Sequence, residues 1–391
     1  MRNAEYCVGS QCVGQAKKNN NDMKHNRIER ILSLAICMTL ISLSVAQNCH
    51  ITGRVAVPEL QGKKIAVLNM NTGETLASTK IVDSAFALDI EVAEPFVGML
   101  KTAPQNSNSR SYYYLNIVAE PGDIYADLVA DSLSGTPLND RYNKIAKQCR
   151  YEVSVINAYY HQMGEATNTP ADVLGELEEK ASRRYEGLIA FLTESYTANK
   201  DNPIGALTMD MLIDYEGADY EAVKGLLEGA APAVTSYQPL VQKLAKMEIL
   251  SHTAAGKPFI DLDLTDYKTG RPIKLSKVIK DKVALIDFWA SWCGPCRREI
   301  PNIKKIHEQY GGKDFVVVSL NVWDKPEGQA KAIKDLNMTW TQLTDPTRNA
   351  TDAYGVDGIP QILLIGKDGV IIARDLRGDD IEKTVKKALG K

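Results

Sequence analysis

Residues 286–296 read IDFWASWCGPC, and the organisation of the rest of the chain can be worked out from this stretch. The apolar residues 283–288 predict a buried strand, and residues 296–310 continue as a predicted helix. Cys293 and Cys296 therefore lie where a strand is followed directly by the N-terminus of a helix. Strands and helices alternate through the following residues as well, which predicts an α/β domain around a central sheet.

Two cysteines with two residues between them can form half of a zinc site, a structural disulfide or a redox pair. A zinc site is disfavoured because no second cysteine pair or histidine pair follows at ligand spacing. A structural disulfide is disfavoured because closing so small a ring removes little chain entropy. The spacing therefore favours thiol–disulfide exchange.

The position of the pair at a helix N-terminus predicts which cysteine reacts first. Unpaired N–H groups and the positive end of the helix dipole stabilise an anion there, so the thiolate of Cys293 is favoured and its pKa is lowered. Pro295 suits the first turn because it has no N–H to leave unpaired. Cys296 lies within that turn and can attack a mixed disulfide on Cys293. We therefore expect an attacking Cys293 and a resolving Cys296.

Residues 286–296 resemble the active-site segment of thioredoxin. Pro301 matches the proline that kinks the active-site helix of that family, and Gly358-Ile359-Pro360 is similar to its cis-proline loop. From residue 256 to residue 391 the sequence resembles the TlpA-like exported thioredoxins. The resemblance implies a thioredoxin fold for this C-terminal domain, which covers about a third of the chain.

The resemblance also implies a role for Asp287, which matches the buried acid of thioredoxin. Such an acid would shuttle the proton as Cys296 attacks; the alternative is a structural carboxylate with satisfied hydrogen bonds. The lysine that accompanies this acid in thioredoxin should fall near Ser319. The chain therefore departs from the family here, and the control of the acidity of Asp287 is left open.

Five further residues are expected to bind the substrate. Pro360 should follow a cis peptide bond, and the backbone of Ile359 could pair with an extended substrate; an ordinary trans turn is the alternative. Trp292 would pack beside the sulfurs and shape the contact surface, or serve a structural role only. Gly294 and Pro295, between the cysteines, complete this set.

The region before the redox domain has two different sequence periods. Residues 47–137 alternate apolar and polar side chains between frequent turn signals, which predicts a β-sandwich-like domain or a partly open barrel. Within it, residues 112–118 and 124–129 flank the Pro-Gly turn at 120–123, which predicts a hairpin. Residues 138–252 repeat apolar side chains every three or four positions, so a helical segment is expected.

This N-terminal part resembles a module of unknown function that precedes such thioredoxin domains in gut-type Gram-negative bacteria. Residues 134–139, SGTPLN, carry most of that likeness. Residues 169–172, TPAD, predict a helix N-cap with proline in the first turn. The apolar helix stripes fit a core better than a partner surface, and no chemistry is indicated by this part.

The first residues of the chain predict export. Residues 23–30 are net positive, residues 31–45 are apolar, and Ser44-Val45-Ala46 offers the small residues that a signal peptidase accepts. We therefore expect Met23 to be the initiator and residues 1–46 to form a leader with a cleaved signal peptide. An uncleaved signal anchor is the alternative, and the Gram-negative periplasm is the expected compartment.

Composition limits the partners. The chain has 391 residues, a net charge of −3 and ordinary hydrophobic content, so disorder is excluded and nucleic acid is not an expected partner. Four of the seven cysteines follow the leader, too few for a disulfide scaffold. Cys149 lies on an apolar helix face, where it could be a small hydrophobic residue or could pair with Cys49.

The leading hypothesis is a periplasmic protein-disulfide oxidoreductase without cofactor or metal. Gly-Pro between the cysteines favours a reductase of protein disulfides, with electrons from a membrane partner. A disulfide oxidase or isomerase is the first alternative. A binding or assembly protein that uses its thioredoxin domain as an adaptor is the second. Peroxidase chemistry is disfavoured because Ala290 stands where a peroxiredoxin needs threonine.

Overall fold

The computed structural model describes residues 46–104, 112–165, 170–216 and 219–391. The predicted leader lies outside these residues apart from Ala46. No helix within the described ranges is both long and apolar enough to cross a membrane. The predicted architecture is confirmed: a β-rich region, a helical middle segment and a C-terminal thioredoxin-like α/β domain follow one another along the chain.

Within its described residues, the β-rich region contains eight strands in two four-stranded sheets, with orders β4-β1-β7-β8 and β3-β2-β5-β6. Strand β4 illustrates why they form, because every second residue is buried against the core. The strands are β1 (Gln47–Arg54), β2 (Lys64–Asn69), β3 (Thr75–Lys80), β4 (Ala85–Val92), β5 (Phe96–Thr102), β6 (Tyr114–Ala119), β7 (Gly122–Asp127) and β8 (Ser132–Ser134).

The predicted hairpin across residues 120–123 is wrong. Strand β6 pairs with β5 in one sheet, whereas β7 pairs in parallel with β1 in the other, placing Cys49 opposite Gly122. The turn therefore carries the chain from one sheet to the other. A Pro-Gly turn fixes only the local reversal of the chain; the partner of β7 is chosen by pairing with a strand distant in sequence.

The SGTPLN sequence joins the β-rich region to the first helix. Gly135 has φ +109°, and a Cβ there would lie 2.2 Å from the carbonyl oxygen of Asp123, so only glycine fits. Asn139 is fully buried, and its side chain accepts from the N–H of Val118 at 2.9 Å and donates to the Val118 carbonyl at 2.7 Å. This side chain therefore ties the start of the helix to strand β6.

Six helices follow in the described part of the middle segment, and their buried side chains share one apolar cluster with both sheets. The β-rich and helical parts therefore have a common core. Tyr160 was predicted to be on the same apolar helix face as Cys149, but its side chain is 52% exposed and so does not belong to this core. The helices are α1 (Pro137–Gly164), α2 (Ala171–Thr197), α3 (Pro203–Glu216), α4 (Tyr220–Leu227), α5 (Pro232–Thr235) and α6 (Gln238–His252).

One prediction for this part is corrected, and of the two alternatives left open for Cys149 the structure shows the small apolar side chain. Pro170 is the N-cap residue of α2 and not part of its first turn, and Thr169, predicted to cap it, lies outside the described residues. Cys49 and Cys149 do not pair: both are buried free thiols. Each is packed in the shared core as a small apolar side chain, and burial raises the pKa of both thiols, that of Cys49 to about 11.

The C-terminal domain is a seven-stranded sheet of order β10-β9-β13-β12-β11-β14-β15, with an apolar cluster on each face. The central strands β11, β12 and β13 are parallel, and β14 is antiparallel to β11. The elements are β9 (Asp263–Asp266), β10 (Pro272–Lys274), α7 (Leu275–Ile279), β11 (Val283–Trp289), α8 (Gly294–Tyr310), β12 (Phe315–Asn321), α9 (Pro326–Asp335), β13 (Thr341–Thr344), α10 (Asn349–Ala353), β14 (Gln361–Ile365), β15 (Ile371–Ala373) and α11 (Asp379–Ala388).

Candidate redox site

The two cysteines are joined at the junction of β11 and α8. Cys293 is the N-cap residue of α8, and Gly294 and Pro295 form the first positions of the helix. The sulfurs of Cys293 and Cys296 are bonded at 2.03 Å, and their Cα atoms are 5.3 Å apart. The structure thus brings together the sulfurs that the sequence predicted to react with each other.

The environment of Cys293 favours a negative sulfur. The backbone N–H of Cys296 donates to the Sγ of Cys293 at 3.1 Å, so a free amide of the first helical turn points at that sulfur. The first turn of α8, all of which is described, contains no acidic residue. The N–H group and the helix dipole would both stabilise a thiolate at this position.

Both cysteines are covered in the oxidised protein. Cys293 is 3% exposed and Cys296 is 1% exposed, and both belong to the apolar cluster on one face of the sheet. Trp292, by contrast, is 63% exposed directly beside them. An incoming partner therefore meets Trp292 before it meets either sulfur.

The predicted cis-proline loop lies against the disulfide. The Ile359–Pro360 peptide bond is cis, as expected from the resemblance. The carbonyl oxygen of Ile359 lies 3.5 Å from the Sγ of Cys293. The guanidinium of Arg377 donates to the carbonyl of Pro360 and so holds the far side of the loop.

Asp287 is a buried acid on β11, only 1% exposed. Burial raises its pKa to about 7, although the hydroxyl of Ser319, donating to Oδ2 at 3.0 Å, and the charge of Arg377 act in the opposite direction. The charge of Glu299 adds to the increase. Ser319 therefore occupies the place where the lysine of thioredoxin was expected, and it contacts Asp287 directly.

A loop after β12 supports the segment that carries Trp292. The indole N–H of Trp292 donates to the carbonyl of Trp323 at 2.9 Å. Asp324 accepts from the N–H and the hydroxyl of Ser291 at 2.6 and 2.8 Å. Sequence reasoning missed Trp323 and Asp324, because their contacts depend on the return of the chain from β12.

Of the predicted site residues, the structure places seven around the sulfurs and one on the strand beneath them. The seven belong to the start of α8 and the cis-proline loop: Trp292, Cys293, Gly294, Pro295, Cys296, Ile359 and Pro360. Asp287 is the residue on the strand. Among the described residues, no cluster of three or more His, Cys, Asp or Glu side chains could hold a metal ion.

Two family models match the chain. Residues 254–389 match the Redoxin model, and residues 49–142 match a domain of unknown function, DUF4369. The first covers the α/β domain and the second covers the β-rich region with the start of α1.

Among curated proteins, the chain is similar to thiol-disulfide oxidoreductase ResA of Bacillus cereus, with 28% identity over 166 residues, 42% of this chain and 91% of ResA. It is also similar to the thiol:disulfide interchange protein HelX of Rhodobacter capsulatus, with 27% identity over 173 residues, 44% of this chain and 85% of HelX.

Two solved structures are similar over the same part. The thioredoxin domain of a thiol-disulfide oxidoreductase from Bacteroides vulgatus is 31% identical, covers 34% of this chain and 96% of its own, and has a TM-score of 0.32. A thiol:disulfide interchange protein from a Bacteroides species is 30% identical, covers 35% of this chain and 91% of its own, and has a TM-score of 0.33. The dithiol, the redoxin match and the curated relatives support a protein-disulfide oxidoreductase that resembles the TlpA-like proteins and carries an N-terminal module of unknown function.

Proposed function

We propose that this protein is exported to the periplasm and reduces disulfide bonds of other proteins through Cys293 and Cys296. The observation that carries the proposal is the placement of Cys293 as the N-cap of α8, where its sulfur accepts the N–H of Cys296 and is bonded to the sulfur of Cys296. The N-cap position thus stabilises the attacking thiolate of Cys293, and Cys296 supplies the resolving thiol.

The reaction has two steps. The Cys293 thiolate attacks a substrate disulfide, forming a mixed disulfide and releasing one substrate thiolate. The Cys296 thiol then gives its proton to Asp287 while its sulfur attacks the Sγ of Cys293, and the second substrate thiolate leaves. An acid whose pKa is raised to about 7 can accept and return this proton near neutral pH.

The surface around the sulfurs supplies the substrate site in this proposal. Trp292 offers an exposed aromatic face, and the Ile359 backbone beside Cys293 offers an edge for an extended peptide. Gly294 and Pro295 add no bulky side chain between the cysteines. Because Cys293 is 3% exposed, a partner has to displace part of this covering to reach its sulfur.

The Gly-Pro pair between the cysteines resembles that of the reducing thioredoxins and therefore favours the reducing direction of exchange. Thioredoxin has a potential near −270 mV and the oxidant DsbA one near −120 mV, a gap of about 7 kcal/mol for two electrons. A reductase needs electrons, and in the periplasm we assign their supply to a membrane partner. A measured potential above about −150 mV would show an oxidase or isomerase instead.

The test is a mixed-disulfide trap in living cells. Cys296→Ala removes the resolving thiol, so substrates should accumulate as covalent adducts of Cys293 that disappear on reduction. The matched control, Cys293→Ser with Cys296→Ala, should trap none. Absence of adducts from the single variant would contradict the proposal.

The proposed export has its own test. Because the signal peptide is expected to be cleaved after Ala46, the N-terminus of the exported protein should be Gln47.

A second candidate is a binding or assembly protein with the thioredoxin domain as adaptor. Contacts between the helical segment and the thioredoxin domain favour this role. Lys246 of α6 donates to the carbonyl of Gly355 and pairs with Asp357 at 2.5 Å. Both residues lie just before the cis-proline loop. Partners held by residues 47–252 without any covalent adduct would support this role. Partners captured only through Cys293 would support the reductase.

A further inference from the structure

A chain of hydrogen bonds leads from Trp340 to Asp287 through Ser319. The indole N–H of Trp340 donates to the Oγ of Ser319 at 2.8 Å, and that hydroxyl donates to Oδ2 of Asp287 at 3.0 Å. The three residues are 3%, 0% and 1% exposed, respectively. Bulk solvent therefore does not reach these groups, and the hydrogen bonds between them orient each side chain.

We propose that Ser319 and Trp340 are positioning residues that fix the Asp287 carboxyl and leave Oδ1 as the oxygen that takes up the proton of Cys296. This rests on the function proposed above. In thioredoxin a lysine accompanies the buried acid. Here the neutral side chains of Ser319 and Trp340 would take the place of that lysine beside Asp287.

The assignment follows from counting hydrogens. An indole nitrogen can only donate, so the Ser319 oxygen has to accept from Trp340. A hydroxyl has one hydrogen of its own, and Asp287 is the acceptor it reaches. Oδ2 of Asp287 is therefore held as an acceptor. Oδ1 is buried without a hydrogen-bond partner among the described residues.

Strand geometry places this carboxyl on the side of the cysteines. Side chains alternate along β11, and Leu285 and Trp289, on either side of Asp287, pack in the same cluster as Cys293 and Cys296. The neighbours Ile286 and Phe288 pack in the cluster on the opposite face. Asp287 therefore faces the helix that carries the dithiol.

The charged groups around Asp287 come from two other elements. Glu299 on α8 opposes its ionisation, and Arg377, before α11, favours it. On β12 the neighbour is the neutral Ser319, and on β14 the residue paired with Asp287 is the apolar Ile362. When the protein is reduced, the thiols of Cys293 and Cys296 are further titratable groups on this side of the sheet. A change at Ser319 thus alters a hydrogen bond to Asp287 without removing any charge.

In the proposed step, the Cys296 S–H bond breaks, its proton goes to Oδ1, and a bond forms between the two cysteine sulfurs. The bond between Cys293 and the substrate sulfur breaks, and that sulfur leaves with the electron pair. The disulfide of the substrate is reduced, and the dithiol of the protein is oxidised.

The test uses the reduced full-length protein and the reagent 5,5′-dithiobis(2-nitrobenzoate), which releases one thionitrobenzoate when Cys293 attacks and a second when Cys296 resolves. The rate of the second release is followed from pH 5 to pH 9. In the wild type it should rise with pH around 7, as Asp287 ionises. In Ser319→Ala, loss of the donated hydrogen bond should move this rise to higher pH and slow release at pH 7 at least about threefold.

Three further variants separate positioning from structure. Ser319→Thr keeps the hydroxyl and should restore the wild-type profile, whereas Trp340→Phe should move it in the same direction as Ser319→Ala but less. In an Asp287→Asn background, Ser319→Ala should have no further effect. The proposal would be overturned if Ser319→Ala left the pH profile of the second release unchanged. It would also be overturned if Ser319→Ala slowed that release equally in the Asp287→Asn background.

The same assay separates failure of this inference from failure of the redox function. Cys296→Ala should release one thionitrobenzoate and stop. If the wild type released none, or if Cys296→Ala still released two from the redox site, the dithiol mechanism itself would be wrong, whatever the Ser319 variants showed.

Discussion

At the scale of single residues, the proposed mechanism depends on one sulfur and one carboxyl held in opposite environments. Cys293 receives an N–H from the start of a helix, which favours its anion. Asp287 is buried in an apolar cluster, which favours its neutral form. The first group is therefore ready to attack, and the second is ready to exchange a proton near neutral pH.

The buried carboxyl predicts a pH-dependent stability. Because burial raises the pKa of Asp287 from 3.8 to about 7, its contribution to stability is full below pH 4 and is lost as the pH rises through about 7. Asp287→Asn removes this loss, so the variant should be more stable than the wild type at pH 8 by up to about 4 kcal/mol and nearly equal at pH 4.

Urea unfolding of the oxidised protein at pH 4, 6 and 8 measures this difference. Exposed Asp335, changed to Asn, should alter stability by less than about 0.5 kcal/mol at each pH. A loss of stability in Asp287→Asn that is the same at all three pH values would contradict the assigned ionisation.

The residue-scale predictions succeeded where the signal was local. The dithiol lies within four consecutive residues, and the cis peptide before Pro360 followed from a family resemblance. The resemblance also indicated that Ser319 stands near the place of the thioredoxin lysine. It could not show that the Ser319 hydroxyl donates to Asp287. Trp340 gave no signal, because its contact with Ser319 depends on how the strand before it and the sheet are assembled.

At the scale of elements, side-chain hydrogen bonds join the start of α1 to the end of β6. Besides its two bonds to Val118, the Asn139 side chain donates to Thr136 Oγ1 at 2.8 Å. Glu120 accepts from the N–H of Leu138 at 2.8 Å. This network satisfies groups at the start of α1 that would otherwise be buried without partners.

Asn139→Ala should therefore destabilise the N-terminal part by about 2–4 kcal/mol, because it leaves buried backbone groups of Val118 unpaired. Denaturant unfolding followed by tyrosine fluorescence would measure it. Asn143→Ala is a matched control, since Asn143 is half-buried and accepts one bond, from Leu133 at 3.3 Å. Equal effects of the two substitutions would contradict the role given to Asn139.

Element types were predicted better than element partners. The alternation along β4 and the helical stripe of α1 are local patterns, and both elements formed. The partner of β7 was not predictable from its turn, because pairing with β1 spans most of the β-rich region. Cys149 was correctly placed on an apolar face, but the same pattern could not decide whether Cys49 would reach it.

At the scale of the whole molecule, α6 links the N-terminal part to the redox site. Besides the contacts of Lys246, the side chains of Ile249 and Leu250 pack around Gly355, and Arg374 donates to Thr253 at the end of the helix. The segment before the cis-proline loop is therefore held from outside the thioredoxin domain.

Lys246→Met should loosen this segment while leaving α6 folded. Amide hydrogen exchange in residues 354–358 should become at least about threefold faster, because the contacts with the Gly355 carbonyl and the Asp357 carboxylate are lost. Lys243→Met is the control: Lys243 pairs with Asp210 and Asp214 inside the helical part, so its loss should leave residues 354–358 unchanged. Unchanged exchange in Lys246→Met would exclude this link.

The most direct test of the central claim is the pH dependence of the alkylation of Cys293 in the reduced protein, with the modified residue identified by mass spectrometry. Stabilisation by the helix N-terminus predicts a midpoint well below the value of about 8.5 for an ordinary thiol, with Cys293 modified before Cys296. A midpoint at or above that value, or faster modification of Cys296, would contradict the account.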